Sequence, residues 1–404
     1  MGCKISSPES FSRAFARCRG DGDYPNEMTE VWIACRKKGE SRMHSIYNER
    51  NNMSKITEII ENKKHYDGVT LGERMKECRT SAISIAIIEN FKISEVYTHG
   101  VKRRGKKEKV MADTLFQAGS ISKPVFTVAV MRLVERGVLN LDTDISEYLV
   151  DYEVPTHDNQ KHKITLRQIL SHHAGLNLHG FFGYQQGQKI PTVEQILTGA
   201  FPSNHIKLKL IKDPETGFQY SGGGYVLAEK IITDVCKTNL CDLMDDLVLS
   251  PLSMTHSTYS QLLSDHEKNE IALGYDFYNL QLPGGYNIMP ELPAAGLWTT
   301  PSNLARFGIE IMKVLKSEST YLEKKTAELM TTKAYENSPF GIGFEIGQCK
   351  KGLTFGHGGS NIGYNSNVIF CPDDGSGISV MQNSSIGEML PGEVTNAFKE
   401  VSGW

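Results

Sequence analysis

The first sustained apolar pattern along the chain is Ser81-Ala82-Ile83-Ser84-Ile85-Ala86-Ile87-Ile88, a near-continuous β-branched run. A strand with one wet face alternates apolar and polar residues, so an unbroken run predicts a central strand buried on both faces. Asn90-Phe91-Lys92 then predicts a turn into a second strand over residues 93–97, completing a hairpin. Upstream, Ile56, Ile59 and Ile60 share a helical face, and a second short helical stretch follows.

Over residues 123–136 the period lengthens to that of a helix. Val125, Val128, Ala129, Arg132 and Leu133 fall at helical spacing, with Gly137 where a C-terminal cap belongs. Between about 141 and 300, helical stretches such as 166–170 and 225–234 alternate with long Gly- and Pro-containing loops, which predicts a mainly helical subdomain. Strand patterns return at 341–346, 353–355, 367–370 and 378–382, with Cys371-Pro372-Asp373-Asp374-Gly375 as the turn between the last two. Strands early, helices in the middle and strands late predict an α/β (α+β) chain with one sheet built from both ends and a helical insertion. Residues 1–52 show neither period and are expected to be a polar, disordered extension, leaving 53–404 as the folded domain.

Composition narrows the class. At 404 residues the chain exceeds the usual single-core size, so it requires two packed subdomains or one large α/β unit with insertions. With 39% hydrophobic and 23% charged residues it is neither disordered, collagenous nor membrane-embedded in composition. A net charge of -3 supplies no general attraction for nucleic acid or an anionic membrane. The one basic run, Lys102-Arg103-Arg104-Gly105-Lys106-Lys107-Glu108-Lys109, is expected to be a solvated strand connection, with a polyanion patch as the alternative. No stretch approaches membrane-span length, and the best apolar run near the N-terminus, residues 31–35, is too short for a signal peptide. Met1-Gly2-Cys3-Lys4-Ile5-Ser6 fits a myristoylation pattern with Cys3 as a second acylation site, but one acyl chain holds weakly and a pattern-free extension is the simpler reading. Eight cysteines without a C-x-x-C pair are expected to be free thiols in a reducing, cytoplasmic setting.

Ser120-Ile121-Ser122-Lys123 changes the picture, because it places Ser and Lys three apart at a helix start. Residues i and i+3 share a face, so the Lys123 amine can reach the Ser120 hydroxyl while the positive end of the helix favours negative charge there. Serine is a poor nucleophile without such help. Alone, the tetrad is also compatible with an ordinary surface helix terminus. Tyr220-Ser221-Gly222 follows, with Tyr220 either a proton relay toward Ser120 or a core tyrosine before a helix. His357-Gly358-Gly359-Ser360 comes last, either a strand edge against which substrate lies or a glycine-rich turn with a satisfied histidine. The N–H groups of Ser120 and Ser360 are the candidate oxyanion donors.

In this order the three elements resemble the serine β-lactamase and penicillin-binding-protein superfamily, most closely its class C-like members, which include family VIII carboxylesterases and D-aminopeptidases. Supporting segments are Leu170-Ser171-His172-His173-Ala174-Gly175-Leu176, residues 218–225, Ala294-Ala295-Gly296-Leu297-Trp298 and residues 356–366. The resemblance implies an antiparallel sheet flanked by helices, Ser120 as the acylated nucleophile, Lys123 and Tyr220 managing its proton, and His357, Gly359 and Ser360 lining the substrate and oxyanion side. It implies a small-molecule or peptide substrate and requires no metal or organic cofactor. Gly222 stands where β-lactamases carry a side-chain amide, and His357 where many relatives carry lysine, so an esterase or D-amino-acid peptidase is expected before a β-lactamase or D-alanyl-D-alanine carboxypeptidase. A non-catalytic binding member of the fold is the remaining alternative. An α/β-hydrolase needs G-x-S-x-G, which the chain lacks, so that class is not expected. His157, His162, His172, His173 and His179 show no H-x-H or H-E-x-x-H spacing and are expected to be structural or solvated. Trp298 and Tyr286 are expected in the core.

Overall fold

The strands are β1 (Ala82–Glu89), β2 (Lys92–Gly100), β3 (Phe116–Gln117), β4 (Trp298–Thr299), β5 (Glu345–Cys349), β6 (Gly352–Asn361), β7 (Tyr364–Cys371) and β8 (Ser376–Gln382). The structure is a computed structural model that describes residues 54–404, so the polar extension and the acylation pattern at Gly2 and Cys3 lie outside the described residues. Six strands form one antiparallel sheet in the order β2-β1-β8-β7-β6-β5, and β3 pairs with β4 separately. The sheet is thus assembled from both ends of the chain, and the fold is mixed α/β with helices against the sheet.

Helices punctuate the rest: α1 (Lys55–Glu61), α2 (Leu71–Glu77), α3 (Ser122–Glu135), α4 (Leu166–Leu170), α5 (Val193–Thr198), α6 (Gly222–Cys236), α7 (Leu240–Met244), α8 (Asp265–Glu270), α9 (Leu292–Ala295), α10 (Pro301–Leu315), α11 (Lys324–Met330) and α12 (Leu390–Val401). Among the described residues no helix is long and apolar enough to cross a membrane.

β1 explains its own sequence. Ile83, Ile85 and Ile87 pack with Ile378 and Val380 under α1, α2 and α12, while Ala82, Ala86 and Ile88 belong to the larger core on the opposite face. Both faces are therefore dry, and burying each isoleucine contributes about 2–3 kcal/mol. Asn90 and Phe91 turn into β2 with φ of 50° and 60°, the left-handed pair of a tight hairpin. On the larger-core side α10 packs against β1, β8 and β7, with Gly308 so close to Phe370 that a Cβ there would lie 2.1 Å from the ring. Trp298 and Tyr286 are buried and meet edge to face at 5.0 Å.

Two strand expectations shift. Residues 341–344 form a bend instead of a strand, since Gly341 N–H bonds Phe344 O and Gly343, at φ 87°, bonds Leu170 O. β5 begins only at Glu345 and lies on the sheet edge, where alternation is weak. β6 runs past residue 355 to Asn361, and this extension carries His357, Gly359 and Ser360.

Candidate active site

Ser120 occupies a single 3-10 turn, Gly119–Ile121, that feeds directly into α3. The turn is clamped by its surroundings. Ser122 Oγ donates to Gly119 O at 2.6 Å and accepts from Leu297 N–H at 3.0 Å. Ser366 Oγ donates to Ala118 O at 2.8 Å, and Asn361 Nδ2 donates to Gln117 Oε1 and Ala295 O. Gly119 has φ 54°, and a Cβ on it would lie 2.5 Å from the Ser360 nitrogen, so only glycine lets β6 approach this closely. Gly359 meets the turn from the other side, where a Cβ would be 2.0 Å from Ala118 O.

Lys123 stands one turn beyond Ser120 and is 1% exposed. Its Nζ lies 2.9 Å from Ser120 Oγ and 2.8 Å from Ala294 O. Burial, without a facing carboxylate, lowers its pKa to about 7. The Nζ also sits 5.0 Å from the centre of the Tyr220 ring. Burial pushes the Tyr220 phenol well above its usual range, with Ser120 as a smaller opposing influence. Lys123 Nζ thus reaches Ser120 Oγ and also lies beside the Tyr220 ring, so the groups expected to handle the proton are gathered around it. Tyr220 is held because the next residue caps α6: Ser221 Oγ accepts from Gly224 N–H at 2.9 Å, while Ser221 N–H donates to His172 Nδ1 at 3.1 Å.

His357 lies on β6 beside this cluster, its ring 6.2 Å from Tyr220, but as a neutral group. Burial first, and then the Lys123 charge, lower its pKa to about 3. Its Nδ1 faces Gly358 O and its buried Nε2 has no partner. Ser360 is exposed, with its backbone nitrogen against the Gly119 turn. The structure thus brings Ser120, Lys123, Tyr220, His357, Gly359 and Ser360 to one place.

Motif reading missed the aromatic wall around Tyr220. His172, expected to be structural or solvated, is buried and stacks on Tyr220 at 4.1 Å, with burial holding it well below the ordinary imidazole value. His179 lies 4.7 Å from Tyr220, ring centre to ring centre. Phe340 reaches Tyr220, His172 and His357 at 6.0, 5.1 and 5.5 Å. Where a side-chain amide would project from position 222, a Cβ would meet Phe181 Cε2 at 2.9 Å, so a phenyl ring fills the amide's space. The segment 170–176 was a visible signal, but nothing in its spacing shows that the chain returns against Tyr220.

Comparison with known proteins accords with this geometry. The Beta-lactamase family model matches residues 70–397. Protein flp of Staphylococcus aureus is 25% identical over 224 residues, 54% of this chain, which spans only 41% of that relative's length. A D-amino acid amidase from Ochrobactrum anthropi shares the fold with a TM-score of 0.68 at 19% identity, covering 87% of this chain and all of its own. An octameric penicillin-binding protein homologue from Pyrococcus abyssi gives 0.67 at 23%, covering 82% of this chain and 76% of its own. Because the family match takes in the whole sheet, the helical region and every candidate residue, the chain belongs to the beta-lactamase family.

Proposed function

We propose that the protein is a serine hydrolase that cleaves an ester or amide bond in a small-molecule or peptide substrate through an acyl-enzyme on Ser120. The observation that carries this reading is Lys123, buried, 2.9 Å from Ser120 Oγ and with its pKa lowered to about 7, which keeps much of it as free amine at neutral pH. In the proposed sequence Ser120 Oγ attacks the substrate carbonyl carbon and its proton passes to Lys123, directly or through the Tyr220 hydroxyl. The carbonyl oxygen becomes an oxyanion met by the N–H groups of Ser120 and Ser360. The leaving alcohol or amine departs with the proton that Lys123 or Tyr220 returns, leaving an ester on Ser120. Water, deprotonated by the same groups, then attacks that ester and releases the acid.

The lining favours a substrate without a carboxylate at the His357 side, because His357 and His172 are neutral. It also favours an apolar group where Phe181 replaces an amide. Both features support an esterase or D-amino-acid peptidase over a β-lactamase or D-alanyl-D-alanine carboxypeptidase. The free thiols at Cys78, Cys236, Cys241, Cys349 and Cys371 are in keeping with a reducing, cytoplasmic setting.

The test is intact-protein mass after exposure to a fluorophosphonate and, separately, to a penicillin, on wild type and Ser120→Ala. A Ser120-dependent fluorophosphonate adduct supports the reading, and a long-lived penicillin adduct marks slow deacylation. An unlabelled wild type with both reagents would make a non-catalytic binding role the better account.

A further inference from the structure

Away from the Ser120 pocket, the connection over residues 151–164 makes a tight turn in which His157 and Gln160 exchange backbone hydrogen bonds of 3.2 and 2.8 Å. Asp158 and Asn159 take left-handed φ of 49° and 60° between them. This turn, with Lys161 after it, brings two histidines five apart onto one carboxylate. His157 Nδ1 is 2.7 Å from Asp213 Oδ1, and His162 Nε2 is 3.3 Å from the same oxygen. All three donor atoms lie within 4.8 Å of one another. Neither H-x-H nor H-E-x-x-H spacing announces the set, because the third donor arrives from 51 residues beyond His162.

We propose that His157, His162 and Asp213 form a binding site for a zinc-class divalent cation. Two imidazole nitrogens and one carboxylate oxygen are the donor set such a borderline ion takes. Bonds of about 2.0–2.2 Å at tetrahedral angles separate ligand atoms by about 3.3–3.6 Å. The His162–Asp213 pair already meets that spacing, the His157–Asp213 pair needs to open by less than about 1 Å, and the two histidine nitrogens, within 4.8 Å, need to close by at most about 1.5 Å. Half of the Asp213 side chain faces solvent, which leaves the fourth position to water. Asp158 Oδ1 lies 4.0 Å from His157 Nε2, on the side of the ring's other nitrogen.

None of the site's three residues is among those gathered around Ser120. Its effect is to tie two connections together. Asp213 opens a turn closed by Thr216 Oγ1 on Asp213 O, and from there Glu215 N–H bonds His173 O and Gln219 N–H bonds His172 O. A cation on Asp213 therefore pins the 151–164 connection to the segment that delivers Tyr220.

The test uses the full-length, chelator-stripped protein with Zn2+ alone, in equilibrium dialysis with metal analysis, on wild type, His162→Ala and Asp213→Asn. Any zinc taken up by cysteines is common to all three proteins, so the difference between them carries the result. Wild type is expected to hold one more equivalent than either variant, with the site's affinity reduced about tenfold or more in each. Hydrogen exchange across 151–164 is expected to slow with Zn2+ in wild type only. Equal zinc uptake by the three proteins, or exchange in wild type that ignores Zn2+, overturns the site.

Discussion

Raising the pH should switch on the proposed hydrolysis with one inflection near 7, and the shape of that curve decides whether Lys123 is the base. As a free amine Lys123 accepts the Ser120 proton, and as an ammonium it cannot. With a pKa of about 7, the amine fraction is about a tenth at pH 6, about half at pH 7 and about nine tenths at pH 8. The value of kcat/KM for a p-nitrophenyl ester, which reports the free enzyme, should climb about tenfold from pH 6 to 8 and then level. An ordinary lysine near 10.5 gives a different curve, rising about a hundredfold over the same span without a plateau. His357, held near 3, and Tyr220, held above its usual range, add no second inflection between pH 5 and 9. A log-linear climb past pH 9, or an inflection that survives in Lys123→Arg, refutes the assignment.

Three further outcomes follow from the geometry. Tyr220→Phe should lower kcat about 10²–10³-fold while the inflection near 7 persists, since Lys123 keeps its burial; pH-resolved kinetics check both parts. Gly359→Ala places a Cβ 2.0 Å from Ala118 O and should cost about 2–3 kcal/mol in urea unfolding, with a kcat/KM loss larger than that of Gly358→Ala, where nothing lies within 4 Å. Gly222→Asn alone should clash with Phe181, whereas Phe181→Ala beside it removes the ring and leaves only the tight 3.1 Å approach to His179 O; only the double variant is expected to gain nitrocefin hydrolysis, measured as initial rate.

What was legible in the sequence was what one element carries by itself. β1 could be read because both of its faces are buried, and Ser120 with Lys123 because i and i+3 on one turn meet without help from the rest of the fold. β3 and β4 could not, since two residues each hold no period. β5 was displaced by a bend whose cause, Gly343 N–H on Leu170 O, spans 173 residues. The same limit applies to His172 and Asp213, whose meaning depends on a segment returning from elsewhere in the chain. The glycines after His357 marked it in the sequence, and burial in the fold carries its pKa further below the ordinary imidazole value.

The position of β1 has a consequence for how the chain is made. One edge of β1 meets β2, its neighbour in sequence, but the other meets β8, with Ile83 opposite Gln382. At about 5–20 residues per second, a ribosome needs about 15–60 s to travel from the first strand to the last. For that interval the hairpin presents a bare apolar strand edge of the kind that templates aggregation. Yield of the native protein should therefore depend on whatever holdase shields this edge during translation, and slowing elongation downstream of β2 should lengthen its exposure.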